Sequence, residues 1–125
     1  MMASSVLNPE AERYFEQRSA HDEVGVMLLE SLKRLGEYEV RGNLPVFRSP
    51  YAVTKNIVFC GAAGMLTVLY RLRPADVETA LQTGASRTPE IGPEWVSIEV
   101  FRANFPKPDL DFWSLRAYDF ARTGA

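Results

Sequence analysis

A chain of 125 residues, 46% of them hydrophobic and including 7 Phe, 5 Tyr and 2 Trp, can bury one core without disulfides or metals, which excludes a disordered tail or linker. Its 14 Lys plus Arg against 16 Asp plus Glu leave a net charge of -2, which makes a dedicated nucleic-acid partner unlikely on physical grounds, because phosphate neutralisation wants a basic surface. The single Cys60 cannot close an internal disulfide, no charged region followed by an apolar signal core opens the chain, and no apolar stretch reaches the roughly 18 to 20 residues of a bilayer span, so a cytoplasmic protein without a membrane segment is expected.

Residues 1 to 7 are small or flexible and are expected to fray. Asn8-Pro9-Glu10 supplies an N-cap, a proline at the first helical position and a first-turn carboxylate, so a helix starts there. Ser19-x-x-Asp22 resembles a capping box for a second helix, whose Val24, Met27, Leu28, Ser31, Leu32 and Leu35 share one face and whose end is expected at Gly36. Between Glu37 and Arg48 the alternation is weak. Gly42-Asn43 and Pro45 allow a short strand, a turn and an edge strand there.

Tyr51 to Leu72 is the stretch around which the sheet is expected to form. It reads as two apolar runs separated by Gly61-Ala62-Ala63-Gly64, and hence as a central hairpin rich in β-branched and aromatic residues. Leu66, Val68, Tyr70 and Leu72 fall on one face of the second run, and Met65, Thr67, Leu69 and Arg71 on the other. A phosphate-holding turn at Gly61-x-x-Gly64 is the competing reading, but the third glycine of the dinucleotide fingerprint and the Lys-Ser/Thr pair of a P-loop are both missing. Pro74 then opens a helix with Val77, Ala80 and Leu81 inward and Gly84 at its end, and residues 85 to 93 read as a loop. Trp95 to Phe101 alternates as a strand, with Val96, Ile98 and Val100 opposite Trp95, Ser97, Glu99 and Phe101. Pro106 and Pro108 stop it. Asp109 caps a closing helix whose Leu110, Trp113, Leu115, Tyr118 and Phe120 form a broad apolar surface. Residues 1–125 are thus read as a single α+β domain: N-terminal helices, an antiparallel sheet on a central hairpin, a helix, a strand and a C-terminal helix packed on one face.

Lys55-x-Ile57-x-Phe59, Leu66-x-Val68-x-Tyr70-Arg71-Leu72, the Pro74-led helix ending in Gly84, Glu94-Trp95-Val96-x-Ile98 and Ala117-Tyr118-x-Phe120, in that order, resemble the small YjbR/MmcQ and TfoX N-terminal-like domains over roughly residues 44 to 122. The resemblance implies a compact α+β domain without an established catalytic centre, DNA-binding-like by analogy, and it carries over no functional residue. Val46-Phe47-Arg48-Ser49-Pro50 stands where that pattern has a Gly-rich start.

Nucleophilic catalysis needs a base beside its nucleophile, and the only histidine, His21, sits at a helix start, where a capping or surface role explains it. Cys60 reads as a small buried hydrophobe at a strand end. Asp109-x-Asp111 is explained by capping without a metal, and no metal or cofactor is expected. One constellation suggests a ligand site: Thr67 and Arg71 from one strand with Trp95, Ser97 and Glu99 from its neighbour, the plainer account being a solvated face with an Arg71–Glu99 cross-strand pair. The expectation is therefore a non-catalytic module for an unknown protein or small-molecule partner. A nucleic-acid-associated regulator using Lys33, Arg34, Arg41, Arg48, Lys55, Arg71 and Arg73 is one alternative, and an enzyme of small substrates using Glu99 with Arg71 is another. If all helices stack on one side, Trp95, Phe101, Met65 and Leu69 stay uncovered, and a homodimer through that face is expected.

Overall fold

The computed structural model describes residues 6–42, 49–101 and 107–124. Helices α1 (Pro9–Glu16) and α2 (Asp22–Leu32) lead into strands β1 (Glu39–Arg41), β2 (Tyr51–Thr54), β3 (Ile57–Ala63) and β4 (Thr67–Arg71). Helix α3 (Pro74–Gln82), the two-residue β5 (Ser86–Arg87), β6 (Trp95–Glu99) and α4 (Leu110–Thr123) follow. The strands make one antiparallel sheet in the order β1-β2-β3-β4-β6-β5, an α+β architecture.

The expected single hairpin is two. Lys55 and Asn56, both in the left-handed region at φ 54° and 63°, turn β2 into β3. That conformation at both central residues is the one whose twist matches a two-residue hairpin. Gly61, Ala62 and Ala63 are strand residues of β3, and the chain turns only at Gly64, Met65 and Leu66, with Gly64 at φ 75°. This corrects the reading of Gly61-Ala62-Ala63-Gly64 as the turn, and it leaves no helix after Gly64 for a phosphate-binding loop. Opposite Ala52 and Val53 the register shifts: Cys60 pairs with Ala52, Val58 with Val53, and Phe59 is the extra residue of a bulge. A bulge sends two successive side chains to the same side, and Phe59 and Cys60 accordingly both enter one core. Cys60 is therefore buried in mid-strand and not at a strand end.

The sheet has a core on each face. On one side α2, α3 and α4 bury Leu28, Leu32, Val77, Trp113 and Ala117 against Phe59, Val68, Tyr70, Val96 and Ile98. Ser31 and Ser114 bring α2 and α4 close there, their hydroxyls 2.8 Å apart, with the Tyr70 hydroxyl 3.0 Å from Ser114. Burial pushes the Tyr70 pKa up, so that hydroxyl keeps its proton and this buried polar chain stays hydrogen-bonded.

On the other side α1 buries Ala11 and Phe15 against Tyr51, Val53, Val58, Leu69 and Trp95, with Val6 and Ile91 at the margins. The helices thus do not stack on one side. Leu69 and Trp95, expected to be uncovered, are 0% and 3% exposed under α1, which removes the reason for a dimer through them. Met65 and Phe101 remain exposed.

Phe15 fits because residue 61 has no side chain. A Cβ on Gly61 would fall inside van der Waals contact with three Phe15 ring atoms. The ring also stacks on Tyr51 at 5.7 Å and 15° and tilts against Trp95 at 5.9 Å. Polar anchors surround this plug. The β3–β4 ladder ends at Cys60↔Tyr70, and just beyond it the Asn8 side-chain amide both donates to the Val58 carbonyl and accepts from its N–H, each at 2.9 Å. The Tyr51 hydroxyl lies 3.1 Å from Glu12 Oε2 and 3.0 Å from Glu16 Oε2, and Arg41 donates to Glu12 at 3.1 Å. Burial first, and those carboxylates second, raise the Tyr51 pKa, so the hydroxyl stays a donor, serving one carboxylate at a time.

Local signals account for most helix ends. His21 Nδ1 accepts from the Glu23 N–H at 3.1 Å, so His21, not Ser19, caps α2. Asp109 accepts from the Phe112 N–H at 3.1 Å and caps α4, while Gly84 follows α3 at φ 105°. Helix α2 ends before Gly36, which does not adopt a positive φ; its missing Cβ makes room for the Tyr118 hydroxyl, which would lie only 2.7 Å from a Cβ placed there. Leu115, expected on the apolar face of α4, is 56% exposed, and Ala117 and Ala121 pack in its stead. Residues expected to fray are partly tied down, since Val6 is buried and the Leu7 N–H donates to the Asn56 carbonyl at 2.7 Å. The loop expected over residues 85 to 93 contains β5. Residues 1–5, the turn after Gly42 with the edge strand through Pro45 to Arg48, and Pro106 lie outside the described residues.

Three substitutions test this packing. Gly61→Ala is expected to cost about 1–3 kcal/mol by overpacking, and Phe15→Leu in the same chain is expected to recover part of it, read as urea midpoints of the single and double variants. Leu69→Glu places a charge in the α1 core and is expected to abolish cooperative unfolding near room temperature; a folded variant of altered mass in sedimentation would show that Leu69 is an interface residue.

Candidate functional site

The register of β4 against β6 places Thr67 opposite Glu99, Leu69 opposite Ser97 and Arg71 opposite Trp95. The five residues expected to form a ligand face do lie along this strand pair, but α1 divides them. Trp95 belongs to the core under α1 and is closed to a ligand. Arg71 donates to Glu94 at 3.2 Å, and its guanidinium lies 4.2 Å over the Phe120 ring. The expected Arg71–Glu99 pair is therefore replaced by Arg71–Glu94 at the far end of the strand. Four residues of strand, about 13 Å, separate Arg71 from the position opposite Glu99, so the two do not form one catalytic pair.

Thr67 and Ser97 stay together, half-buried, where the apolar cover of α1 ends. They line a cleft of about 490 Å³ whose other walls are Tyr14 of α1, Arg18 and Ser19 just beyond that helix, Ala63 and Gly64 at the end of β3, Arg87 of the edge strand β5, and Thr88 and Glu90 after it. One wall is set where α1 ends: Arg18, two residues past Glu16, lies 3.6 Å over the Tyr14 ring and donates to the Tyr14 carbonyl at 3.1 Å. Backbone bonds set another, because Gly64 N–H donates to Ser19 O at 2.7 Å and His21 N–H to Gly64 O at 2.9 Å, tying the α1–α2 linker to the β3–β4 turn. Arg87 reaches Glu78 at 3.0 Å, with side chains 55% and 64% exposed, a pair of little energetic weight.

Thr88 is the outlying residue of this cleft. It is 5% exposed, yet its buried Oγ1 has no hydrogen-bond partner. Buried hydroxyls are normally paired, and an unpaired one costs roughly 1–3 kcal/mol. The Ser97 hydroxyl has only a long bond, 3.5 Å, to the Ser86 carbonyl. Arg18, Arg87 and Thr88 were not singled out by sequence reasoning. The Tyr14–Arg18 spacing was visible across the end of α1, whereas Arg87 and Thr88 sit in a stretch that reads only as loop.

A second concavity, about 480 Å³, lies between α3, β6 and α4, with Ile98, Phe112 and Trp113 as apolar walls and Glu99 at its lip. It borders Lys107, where the stretch outside the described residues ends, whereas the polar cleft is enclosed by described residues alone. Neither His21 nor Cys60 lines either concavity. His21 is a cap, and burial pushes the Cys60 thiol pKa well above the usual thiol range. Among the described residues no three His, Cys, Asp or Glu side chains gather as a metal site, and no helix is long and apolar enough to cross a membrane. Comparison with protein families, curated proteins and solved structures found no match.

Two measurements check this description. Thr88→Val, which keeps the shape and removes the unpaired hydroxyl, is expected to raise unfolding free energy by about 1 kcal/mol; a loss of that size would reveal a partner on Oγ1. Cys60 in the folded protein is expected to react with a small thiol reagent about 100-fold or more slowly than in the urea-unfolded chain; comparable rates would contradict its burial.

Proposed function

We propose that this chain is a non-catalytic binding module that takes a small polar ligand in the cleft between the C-terminal end of α1 and the β4–β6 strand pair. The observation that carries the reading is a concave, polar lining of Arg18, Ser19, Thr67, Arg87, Thr88 and Ser97 at the open end of the sheet face, with the unpartnered Thr88 hydroxyl buried behind it. A native chain rarely leaves such a group unpaired unless a ligand or water completes it. The scaffold suits binding, because the cleft stands on the ends of the central strands β3 and β4 and its edge is held by backbone bonds. The likeness to YjbR/MmcQ and TfoX N-terminal-like domains supports a role without a catalytic centre.

The alternatives draw less support. Of the cations considered for nucleic acid, Lys33, Arg41, Arg71 and Arg73 are engaged with Glu30, Glu12 and Glu39, Glu94, and Asp119 respectively, which leaves Arg34 and Lys55 of that set without an ion pair among the described residues. Arg48 lies outside the described residues. The enzyme reading loses its Arg71–Glu99 pair to the strand register.

Amide-resolved NMR with a panel of small polar fragments tests the proposal. Saturable shifts gathered on residues 63–67, 87–90 and 97 are expected from at least one fragment. Saturable shifts only elsewhere, or none from the panel, would overturn it.

A further inference from the structure

Helix α1 is fastened differently from α2, α3 and α4. It buries two of its eight residues, Ala11 and Phe15, against five of eleven in α2 and six of fourteen in α4. Both lie in the core on the opposite side of the sheet from the other helices. The backbone shows where this unit ends. The N–H groups of Gln17 and Arg18 turn back into α1, onto Arg13 O at 3.0 Å and Phe15 O at 3.2 Å, while Ser19 and His21 are bonded to Gly64. A seam therefore lies between Arg18 and Ser19. At the other end the Asn8 amide holds both backbone groups of Val58 and gives α1 no side-chain cap, so it serves to fasten the helix to β3. Glu12 and Glu16 add the bonds to Tyr51 and Arg41, which part together with Phe15 when α1 lifts.

We infer that residues 6–18 form a hinged cover, with the hinge at Arg18–Ser19 and the Asn8 amide as its latch, which opens while the rest of the domain stays folded. The link to the cleft rests on the binding role proposed above. Tyr14 and Arg18 stand on the cover, whereas Ser19, Thr67, Arg87 and Ser97 stand on the body, so the cleft has both walls only when α1 is closed. The open form bares Tyr51, Val53, Val58, Leu69 and Trp95 to water and is the minor state. A compound bound between the walls holds α1 shut, and opening α1 releases it.

Leu69→Cys places a thiol under α1, and the native Cys60 lies in the core on the other face, so one chain reports both. With iodoacetamide and mass mapping, the introduced thiol is expected to react about tenfold or more faster than Cys60, with a shallower rise in urea. In the parent chain the amides of Tyr14, Phe15 and Glu16 are expected to exchange faster than those of Leu28 and Val68 by a similar factor. Equal rates and urea slopes for the two thiols, or for the two sets of amides, would mean that α1 leaves only when the domain unfolds, and would overturn the hinge. Asn8→Ala added to Leu69→Cys is expected to speed the introduced thiol about a further tenfold; an unchanged rate would overturn the latch. The probe for the cleft is the fragment of the panel above that shifts residues 63–67, 87–90 and 97 at the lowest concentration. At about ten times its Kd it is expected to slow the introduced thiol about 11-fold, since only the closed form binds it. Saturation of the cleft without that slowing would overturn the link between α1 and the cleft and leave the binding role intact. If no fragment binds there, the binding role and the link fail together, while the two thiols still decide the hinge.

Discussion

The ring of Phe15 over the bare backbone of Gly61 is the contact on which the second face of this sheet depends. Strands β3 and β4 are apolar on both sides, since Phe59, Val68 and Tyr70 enter one core and Val58 and Leu69 the other. A sheet of that kind is stable in water only when both faces are covered. Three helices cover one face; a single eight-residue helix, α1, covers the other. So short a helix is marginal by itself, and its position comes from tertiary contacts: one aromatic plug, the Asn8 amide on Val58, and the Tyr51 hydroxyl between Glu12 and Glu16.

The same helix makes the cleft. Its apolar stripe runs out at Phe15, and the chain just past its end carries Arg18 over Tyr14 beyond the covered zone. There the sheet face changes from Leu69 and Trp95, which are sealed, to Thr67 and Ser97, which are half-open. A boundary between a dry and a wet part of one rigid face is where a concave site with a few placed polar groups can form. The same layout puts Cys60 inside the other core and leaves His21 capping α2.

Local chemistry made several elements legible in the sequence. Asn8-Pro9, Pro74 with Gly84, and Asp109 mark real helix ends, and the alternation of Val96, Ile98 and Val100 against Trp95 gives the true faces of β6. The hairpin was misplaced because Gly61 and Gly64 look alike in a sequence while serving different ends. Gly64 supplies a positive φ, whereas Gly61 supplies space for a ring 46 residues earlier in the chain, and no local pattern reports that distance. The turn at Lys55-Asn56 lacks the glycine that usually signals one, and the bulge at Phe59 breaks the period of two that places side chains. Of the ligand residues, Thr67 and Ser97 were readable as strand neighbours. Arg18 and Thr88 became neighbours of theirs only once α1 crossed the sheet, a tertiary fact.

The most direct measurement is a pair of NMR observables at residue 61. With the Phe15 ring against it, a Gly61 Hα is expected to be shifted well upfield of its random-coil position, with nuclear Overhauser contacts to the Phe15 ring protons. A Gly61 Hα near its random-coil shift and without such contacts would mean that α1 does not cover this face, and the cleft built on it would go as well.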